Sequence, residues 1–198
     1  MTAPPGQGLR LFVAVELGAD ALRALGELQT ELRRKGLAAL RWVRPEGIHL
    51  TLKFLGEVPA AAVPDIERAL AGAVKGVPPH TLRLGALGKF GGRGSPRVLW
   101  VDMAGDQEVV LSLQQRVEGA LNRLGFPRER RRFSPHLTLA RVPPEGARAA
   151  AGPLDEAIAA VHPQPAEIQV RELSLMRSQL GPGGAVYTRL FAVALEAT

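Results

Sequence analysis

Two stretches of this sequence nearly match: Ile48-His49-Leu50-Thr51-Leu52-Lys53-Phe54-Leu55-Gly56 and, later, Pro135-His136-Leu137-Thr138-Leu139-Ala140-Arg141. Both contain His-Leu-Thr-Leu, so two of the four histidines of the chain have the same neighbours. Successive side chains of a strand point to opposite faces. Each stretch therefore predicts a half-buried strand with His and Thr on one face and the two leucines on the other.

The length and composition are those of a folded protein. The chain has 198 residues, 46% of them hydrophobic, which suffices for one large domain or two small lobes. It has no cysteine, which excludes disulfides and thiolate chemistry. Neither a signal segment at residues 1–8 nor an apolar run near the ~20 residues of a membrane span is present. We expect a soluble cytoplasmic protein without a membrane partner.

The formal net charge is +6, and most of the 25 basic residues are arginines. Arginine makes forked contacts with phosphate, so an anionic partner is favoured. GC-rich coding or adaptation to heat explains the same excess equally well. The 16 prolines and the absence of cysteine fit a thermophile.

Hydrophobic periodicity and breaker residues predict alternating strands and helices. Besides the two motif strands, we predict strands at residues 9–17, 81–84, 97–102, 167–176 and 186–196, the last two joined by residues 181–184. The predicted helices are one capped by Asp20 and ended by Gly36, one from Pro64 to about Gly76, one over 106–124, and a weaker one up to Val161 that breaks at Gly152-Pro153. The glycine-rich segment 85–94 matches no phosphate-binding fingerprint and is predicted to be a hairpin loop.

This order lacks the regular βαβ spacing of a doubly wound fold, and each half of the chain carries one His-Leu-Thr-Leu. We predict the α+β class: a duplicated, bilobal fold over residues 1–198, with two mostly antiparallel sheets flanked by helices around a central cleft. His49 and His136 would then meet across that cleft.

Two imidazoles with pKa values near ~6.5 can divide acid and base catalysis at neutral pH. Hydrolysis of a phosphodiester requires this division, because a base activates water while an acid protonates the departing oxygen on the opposite side. Thr51 and Thr138 would donate to the non-bridging phosphate oxygens. Arg141 could add a charge-assisted bond, but it lies an odd number of residues after His136. A bulge or the end of the strand must therefore turn it to the same face.

A metal site is the competing use of paired histidines. Zinc would need further ligands, and the other histidines, His80 and His162, each stand beside a proline in loop-like sequence. No carboxylate accompanies either motif at ligand spacing. We expect neither a metal nor a cofactor. Core histidines without a catalytic role are the remaining alternative, which the repetition disfavours.

Over nearly its whole length the chain resembles the two-histidine (2H) phosphoesterases. It is most similar to their bacterial and archaeal branch, RNA 2′,3′-cyclic phosphodiesterase, historically called 2′-5′ RNA ligase. Besides the two motifs, the resemblance rests on Arg10-Leu11-Phe12-Val13-Ala14-Val15, Trp42-Val43, Pro96-Arg97-Val98-Leu99-Trp100, Phe133-Ser134, Ser178-x-Leu180 and Tyr187. Leu11 stands where many relatives repeat Phe, which concerns packing.

The resemblance implies a metal-free enzyme that opens an RNA-terminal 2′,3′-cyclic phosphate to a 2′-phosphate. His49 would donate a proton to the leaving 3′ oxygen, and His136 would activate water. The partner would be RNA, including tRNA fragments, and we expect a monomer. The alternatives are a phosphodiesterase of small cyclic nucleotides, an enzyme that joins tRNA halves through a 2′-5′ bond, and a non-catalytic RNA-binding module.

Further residues carry two interpretations each. Arg128, Arg130, Arg131 and Arg132 either hold RNA phosphates or form a solvated run. Tyr187 and Phe133 either stack on a base or belong to the core. Trp42 and Trp100 are predicted to be core residues.

Overall fold

The computed structural model describes residues 8–92, 94–181 and 184–197. This part of the chain forms nine strands and four α-helices. The strands are β1 (Gly8–Glu16), β2 (Arg41–Trp42), β3 (His49–Pro59), β4 (His80–Gly92), β5 (Ser95–Gly105), β6 (His136–Arg141), β7 (Glu167–Val170), β8 (Glu172–Gly181) and β9 (Gly184–Ala194). The helices are α1 (Ala19–Leu32), α2 (Val63–Ala73), α3 (Gln107–Asn122) and α4 (Ala147–Ala160).

The strands form two sheets. The first sheet has four strands in the order β3-β1-β8-β9, and the second has five in the order β2-β6-β5-β4-β7. Neighbouring strands run antiparallel in both sheets. The predicted α+β class with two antiparallel sheets is confirmed. One motif strand lies in each sheet, with His49 on β3 and His136 on β6.

The sequence predicts one sheet for each half of the chain, but the strands are not divided between the two sheets in this way. The last strands, β8 and β9, complete the first sheet, and β2 adds to the second sheet although it precedes β3. The reason lies in β1, whose residues 11–15 are all buried. A strand buried on both faces needs a neighbour along each edge, and β3 supplies only one of them.

The glycine-rich segment 85–94 is not the predicted hairpin loop, because β4 extends to Gly92 and β5 begins at Ser95. Within this ladder Gly88 pairs with Trp100, and a Cβ atom at Gly88 would lie 2.2 Å from the indole ring. The glycine therefore makes room for an aromatic side chain. Arg93, Pro182 and Gly183, which fall in the predicted connections, lie outside the described residues, as do the first seven residues.

Three other predicted boundaries are wrong. The predicted strand 167–176 is two strands in different sheets, β7 and β8, separated at Arg171. Helix α4 continues through Pro153, because the fully buried Leu154 holds the next turn against the core. Gly18, not Asp20, precedes α1, and the Asp20 carboxylate accepts a hydrogen bond from Arg23 at 2.8 Å.

One continuous hydrophobic core joins both sheets to the helices. Each helix contributes buried residues, among them Leu25, Ile66, Leu113 and Leu154. Phe12, Ala14 and Met176 form a small second cluster, against which Tyr187 packs. In the described residues, no helix combines the length and apolar character that crossing a membrane requires.

Candidate active site

The motif strand β3 presents His49, Thr51 and Phe54 on one face. A bulge at Leu52 and Lys53 turns both of these side chains inward, where they are buried. The cross-strand pairs with β1 are Glu16–His49, Ala14–Thr51 and Phe12–Phe54. Alternate residues of β1 share a face, so their partners on β3 do so as well.

The motif strand β6 has the same bulge at the same place, at the buried residues Leu139 and Ala140. Its pairs with β5 are Asp102–His136, Trp100–Thr138 and Val98–Arg141. Because these β5 residues alternate, Arg141 lies on the face of His136 and Thr138. Of the two predicted alternatives, a bulge or the end of the strand, the structure has the bulge, which brings Arg141 to the histidine face.

Both histidines are oriented by the same local contact. The Nδ1 atom of His49 lies 2.9 Å from the Gly47 carbonyl oxygen, and Nδ1 of His136 lies 2.8 Å from the Ser134 carbonyl oxygen. A carbonyl only accepts, so Nδ1 carries the proton in each neutral ring. The lone pair then resides on Nε2, which is the nitrogen available for proton transfer.

Aromatic rings surround His49. Its imidazole stacks on Phe12 with centroids 4.6 Å apart, and Tyr187 meets it edge-on at 5.0 Å. Tyr187 also contacts Phe12, at 5.3 Å. Tyr187, which also packs against the small second cluster, therefore lies beside the first histidine, and its stacking on a base stays a prediction.

Burial lowers the pKa of His49 below its ordinary value, while the hydrogen bond to the Gly47 carbonyl and the negative charge of Glu16 act in the opposite direction. Glu16 is itself engaged: the Ser174 hydroxyl donates to its Oε2 at 2.7 Å, and Arg189 lies 3.2 Å from the same oxygen. Desolvation outweighs both opposing effects, so the neutral ring is favoured.

His136 also has an aromatic wall, which the sequence did not reveal. Phe90 meets its ring edge-on at 4.8 Å, and the Trp100 ring centroid lies 6.1 Å away. Trp100 is half-buried on this face and is not the core residue that we predicted. Trp42 does pack against the core, with its Nε1 donating to the Leu37 carbonyl at 3.1 Å.

Hydrogen bonds hold the two motif strands near one another. The Val43 amide, shortly before β3, donates to the Leu139 carbonyl of β6 at 2.9 Å. The Nε2 atom of the buried Gln29 donates two hydrogen bonds, one to the Val43 carbonyl at 2.8 Å and one to the Leu139 carbonyl at 3.1 Å. Strands β3 and β6 contact each other directly. The edge of the first sheet therefore adjoins the His136 strand.

Lys53 connects β3 to α3 and to the segment before β6, a contact that the sequence did not predict. Its side chain, only 1% exposed, forms an ion pair with Glu118 of α3 at 2.9 Å and donates to the Pro127 carbonyl at 2.7 Å. Pro127 lies in the segment that leads from the end of α3 at Asn122 to His136. The available signal was a single lysine in an otherwise apolar run directly after the motif.

The remaining candidates have separate positions. Arg128, Arg130, Arg131 and Arg132 are exposed on the segment before β6, and Phe133 is half-buried against the core, which supports its core interpretation. His80 is buried at the start of β4, and His162 is exposed after α4. Among the described residues, no three or more His, Cys, Asp or Glu side chains are grouped as metal ligands would be.

Solved structures share this fold. The crystal structure of TT0787 from Thermus thermophilus superposes with a TM-score of 0.73 and is 30% identical, covering 94% of this chain and 98% of its own. That of apo LigT from E. coli has a TM-score of 0.74 and 26% identity, covering 96% and 98%. The arrangement of two antiparallel sheets is thus that of the LigT-like proteins.

The sequence comparison is more specific. The chain belongs to the 2′-5′ RNA ligase superfamily, whose family model matches residues 12–182. A relative from Archaeoglobus fulgidus, named RNA 2′,3′-cyclic phosphodiesterase, is 32% identical over 92% of this chain and 98% of its own length.

Proposed function

We propose that this protein hydrolyses RNA-terminal 2′,3′-cyclic phosphates to 2′-phosphates by acid and base catalysis between His49 and His136. The observation that carries the proposal is the matched pair of bulged strands. Each presents an imidazole with its Nδ1 bonded to a carbonyl, a threonine two residues on, and a third side chain on the same face. The name of the Archaeoglobus relative and membership in the family support the substrate.

In the proposed reaction, Nε2 of neutral His136 takes a proton from water as the water attacks phosphorus. Nε2 of protonated His49 gives its proton to the departing 3′ oxygen, which leaves the phosphate on the 2′ oxygen. Each transfer contributes typically ~10² to 10⁴ in rate. The reaction leaves His136 protonated and His49 neutral, and proton exchange with solvent then restores the starting state of both rings.

Thr51 and Thr138 donate hydrogen bonds to the non-bridging oxygens, and Arg141 balances the negative charge that accumulates there. The shared faces of the two strands support these roles, because each hydroxyl lies on the histidine side of its own sheet. Donors already aimed at the developing charge lower the barrier without reorganising during the reaction.

The lowered pKa of His49 determines at which pH this residue can act as the acid. At neutral pH the free protein holds mainly the neutral ring, and the negative charge of a bound phosphate favours protonation. Once protonated, such an imidazole releases its proton readily to an alkoxide. Turnover of cyclic phosphate should therefore fall as the pH rises above the pKa of His49, because the protonated form becomes scarce.

RNA is the proposed partner. LigT from E. coli has been crystallised in complex with 3′-AMP, a nucleotide with a 3′ phosphate, and this relative is 26% identical over 96% of this chain. The four exposed arginines before β6 would hold further phosphates along the strand, so binding should weaken with salt.

The test is incubation with an oligonucleotide ending in a 2′,3′-cyclic phosphate, in buffer with and without EDTA. We expect a product with a 2′-phosphate, identified by phosphorus NMR, and the same rate in both buffers. A 3′-phosphate product would contradict the proposed geometry. Loss of turnover with EDTA, restored by Zn²⁺ or Mn²⁺, would contradict the two-histidine mechanism.

The roles are tested with an aryl phosphodiester whose nitrophenolate leaving group needs no proton. The defect of His49→Ala should shrink on this substrate, whereas that of His136→Ala should persist because water must still be activated. Equal rescue of both variants would refute the assignment. No effect of either substitution would favour the non-catalytic RNA-binding module.

Joining of RNA ends is a second candidate activity, favoured by the description of the matching family as 2′-5′ RNA ligases. Joining uses the same residues in the same direction: a 5′ hydroxyl replaces water as the nucleophile, His136 takes its proton, and the 3′ oxygen leaves with a proton from His49. Adding an excess of an oligonucleotide with a 5′ hydroxyl should then yield a longer RNA with a 2′-5′ bond. Absence of that product, with hydrolysis intact, would exclude this activity.

A further inference from the structure

Hydrogen bonds link each motif strand to the segment that leads into the other motif. Lys53 of the first motif strand donates to the Pro127 carbonyl, which lies before the second motif. On the second motif strand, the Leu139 carbonyl accepts from the Val43 amide, which lies before the first motif, and from the Gln29 side chain. Both motif strands are held at the bulge that follows their threonine. The contacts between the two motif regions are therefore reciprocal.

Gln29 of α1 reaches both regions with a single atom. Its Nε2 donates to the Val43 carbonyl at 2.8 Å and to the Leu139 carbonyl at 3.1 Å, and the side chain is fully buried. The Leu139 carbonyl already accepts from the Val43 amide at 2.9 Å, so the second bond is not needed to satisfy it. Among the described residues, Oε1 of Gln29 is buried without a hydrogen-bond partner, which disfavours folding. Stability alone therefore does not account for an amide that bridges these two carbonyls.

Short stretches of backbone connect the two acceptors of Gln29 to the two imidazoles. After Val43 the chain enters the turn Pro45–Gly47, which α1 contacts, and the last carbonyl of that turn lies 2.9 Å from Nδ1 of His49. The other acceptor belongs to β6 itself and follows His136 by three residues. One amide group thus joins the backbone that orients the proposed acid to the strand that carries the proposed base.

We propose that Gln29 is a positioning residue that sets the spacing between His49 and His136. This inference rests on the proposed function, in which both imidazoles act on one phosphate. Acid and base must each come within hydrogen-bonding distance of their own oxygen on opposite sides of phosphorus. A displacement of about 1 Å caused by a distant substitution can lower the rate by roughly 10²-fold. Gln29 acts through the two backbone carbonyls and is not itself a catalytic residue.

The test is a double-mutant cycle of Gln29→Met and His49→Ala on an oligonucleotide ending in a 2′,3′-cyclic phosphate, at a temperature at which circular dichroism shows every variant to be folded. Methionine keeps the length of the side chain but donates to neither carbonyl. In the otherwise native protein, Gln29→Met should lower kcat/KM by roughly 10²-fold. In the His49→Ala protein it should have almost no further effect, because the imidazole that it misplaces is already absent.

Leu25→Ala is the matched control, since it removes a fully buried side chain of the same helix and no hydrogen bond between the motif regions. Its effect on kcat/KM should be the same in both backgrounds. The defect of Gln29→Met should also shrink on the aryl phosphodiester whose leaving group needs no proton, as expected for His49→Ala. If Gln29→Met does not fold, Gln29→Asn takes its place with the same expectations, because its amide is one methylene shorter and can bond at most one of the two carbonyls.

Equal losses with and without His49 would overturn the proposal, because they would show that Gln29 only stabilises the fold. Full activity of Gln29→Met would overturn it as well. If the native protein does not hydrolyse the cyclic phosphate, the proposed function fails instead, and the spacing is then measured directly. Because the chain has no cysteine, spin labels can be attached to cysteines introduced at the exposed residues Glu57 of β3 and Ala104 of β5. Gln29→Met should shift or broaden the distance distribution between the labels more than Leu25→Ala does, and an unchanged distribution would overturn the proposal.

Discussion

Replacing Lys53 by methionine should destabilise the protein strongly. The Lys53 and Glu118 side chains are 1% and 9% exposed, and their atoms lie 2.9 Å apart. Methionine fills a similar volume but removes the only cation that pairs with the buried Glu118 carboxylate among the described residues, which leaves that carboxylate a hydrogen bond from Gln114 at 3.3 Å. The substitution also removes the donor to the Pro127 carbonyl. Breaking a buried pair from one side costs about 3 to 5 kcal/mol in the free energy of unfolding. At this chain length, that corresponds to a decrease in Tm of roughly 6 to 20 °C.

The measurement is denaturant unfolding of Lys53→Met, Glu118→Leu and the double variant. Because an apolar pair of similar volume often replaces a buried ion pair without loss, the double variant should recover most of the stability. Arg23→Met is the control, since its ion pair with Asp20 is 66% and 84% exposed and should contribute less than about 1 kcal/mol. A Lys53→Met protein as stable as the control would refute the reasoning, as would a double variant less stable than both single ones.

Replacing Thr51 or Thr138 by valine keeps the shape and deletes a hydroxyl donor, so kcat/KM should fall by roughly 10- to 10³-fold while the unfolding curve is unchanged; full activity would show the hydroxyl to be idle. Because burial lowers the pKa of folded His49 below the unfolded value of about 6.5, the native state binds fewer protons. The free energy of unfolding should therefore decrease as the pH falls from about 6.5 through the folded pKa, and His49→Gln should flatten this dependence; an unchanged profile would contradict the pKa shift. A Cβ atom at Gly88 would lie 2.2 Å from the indole ring of Trp100. Gly88→Ala should therefore lower the free energy of unfolding by about 1 to 3 kcal/mol and shift the tryptophan fluorescence. Gly72→Ala, with nothing within 4 Å, should be neutral or slightly stabilising.

The candidate site could be predicted from the sequence because side chains alternate between the two faces of a strand. His49 and Thr51 alternate with leucines. The odd offset of Arg141 required either a bulge or the end of the strand, and the structure contains a bulge. The same parity applies to Phe54, which stands at the matching offset in the first motif. A comparison of the two motifs beyond their identical tetrapeptides would have placed it on the histidine face.

Long-range contacts set the limit of prediction. Periodicity shows that β1 is a buried strand, but not that its second neighbour is β8, far along the chain. The glycines of β4 resemble a loop until Trp100 is seen to fill the space above Gly88. Pro153 predicts a break that the burial of Leu154 overrides. In each case a partner distant in sequence decides the local conformation.

The strand order of the first sheet determines when a nascent chain acquires each half of its site. All strands of the second sheet have been synthesised by Val170, whereas the first sheet then still lacks β8, the second neighbour of β1, and β9, which pairs with β8. Contacts between such distant segments form late and slowly. On the ribosome, the His136 strand should therefore gain its neighbours before the His49 strand is secured. Arrested chains ending at Val170 should show protease protection in β4 to β6 but not in β1 and β3, so that catalysis begins only after β8 and β9 have been synthesised.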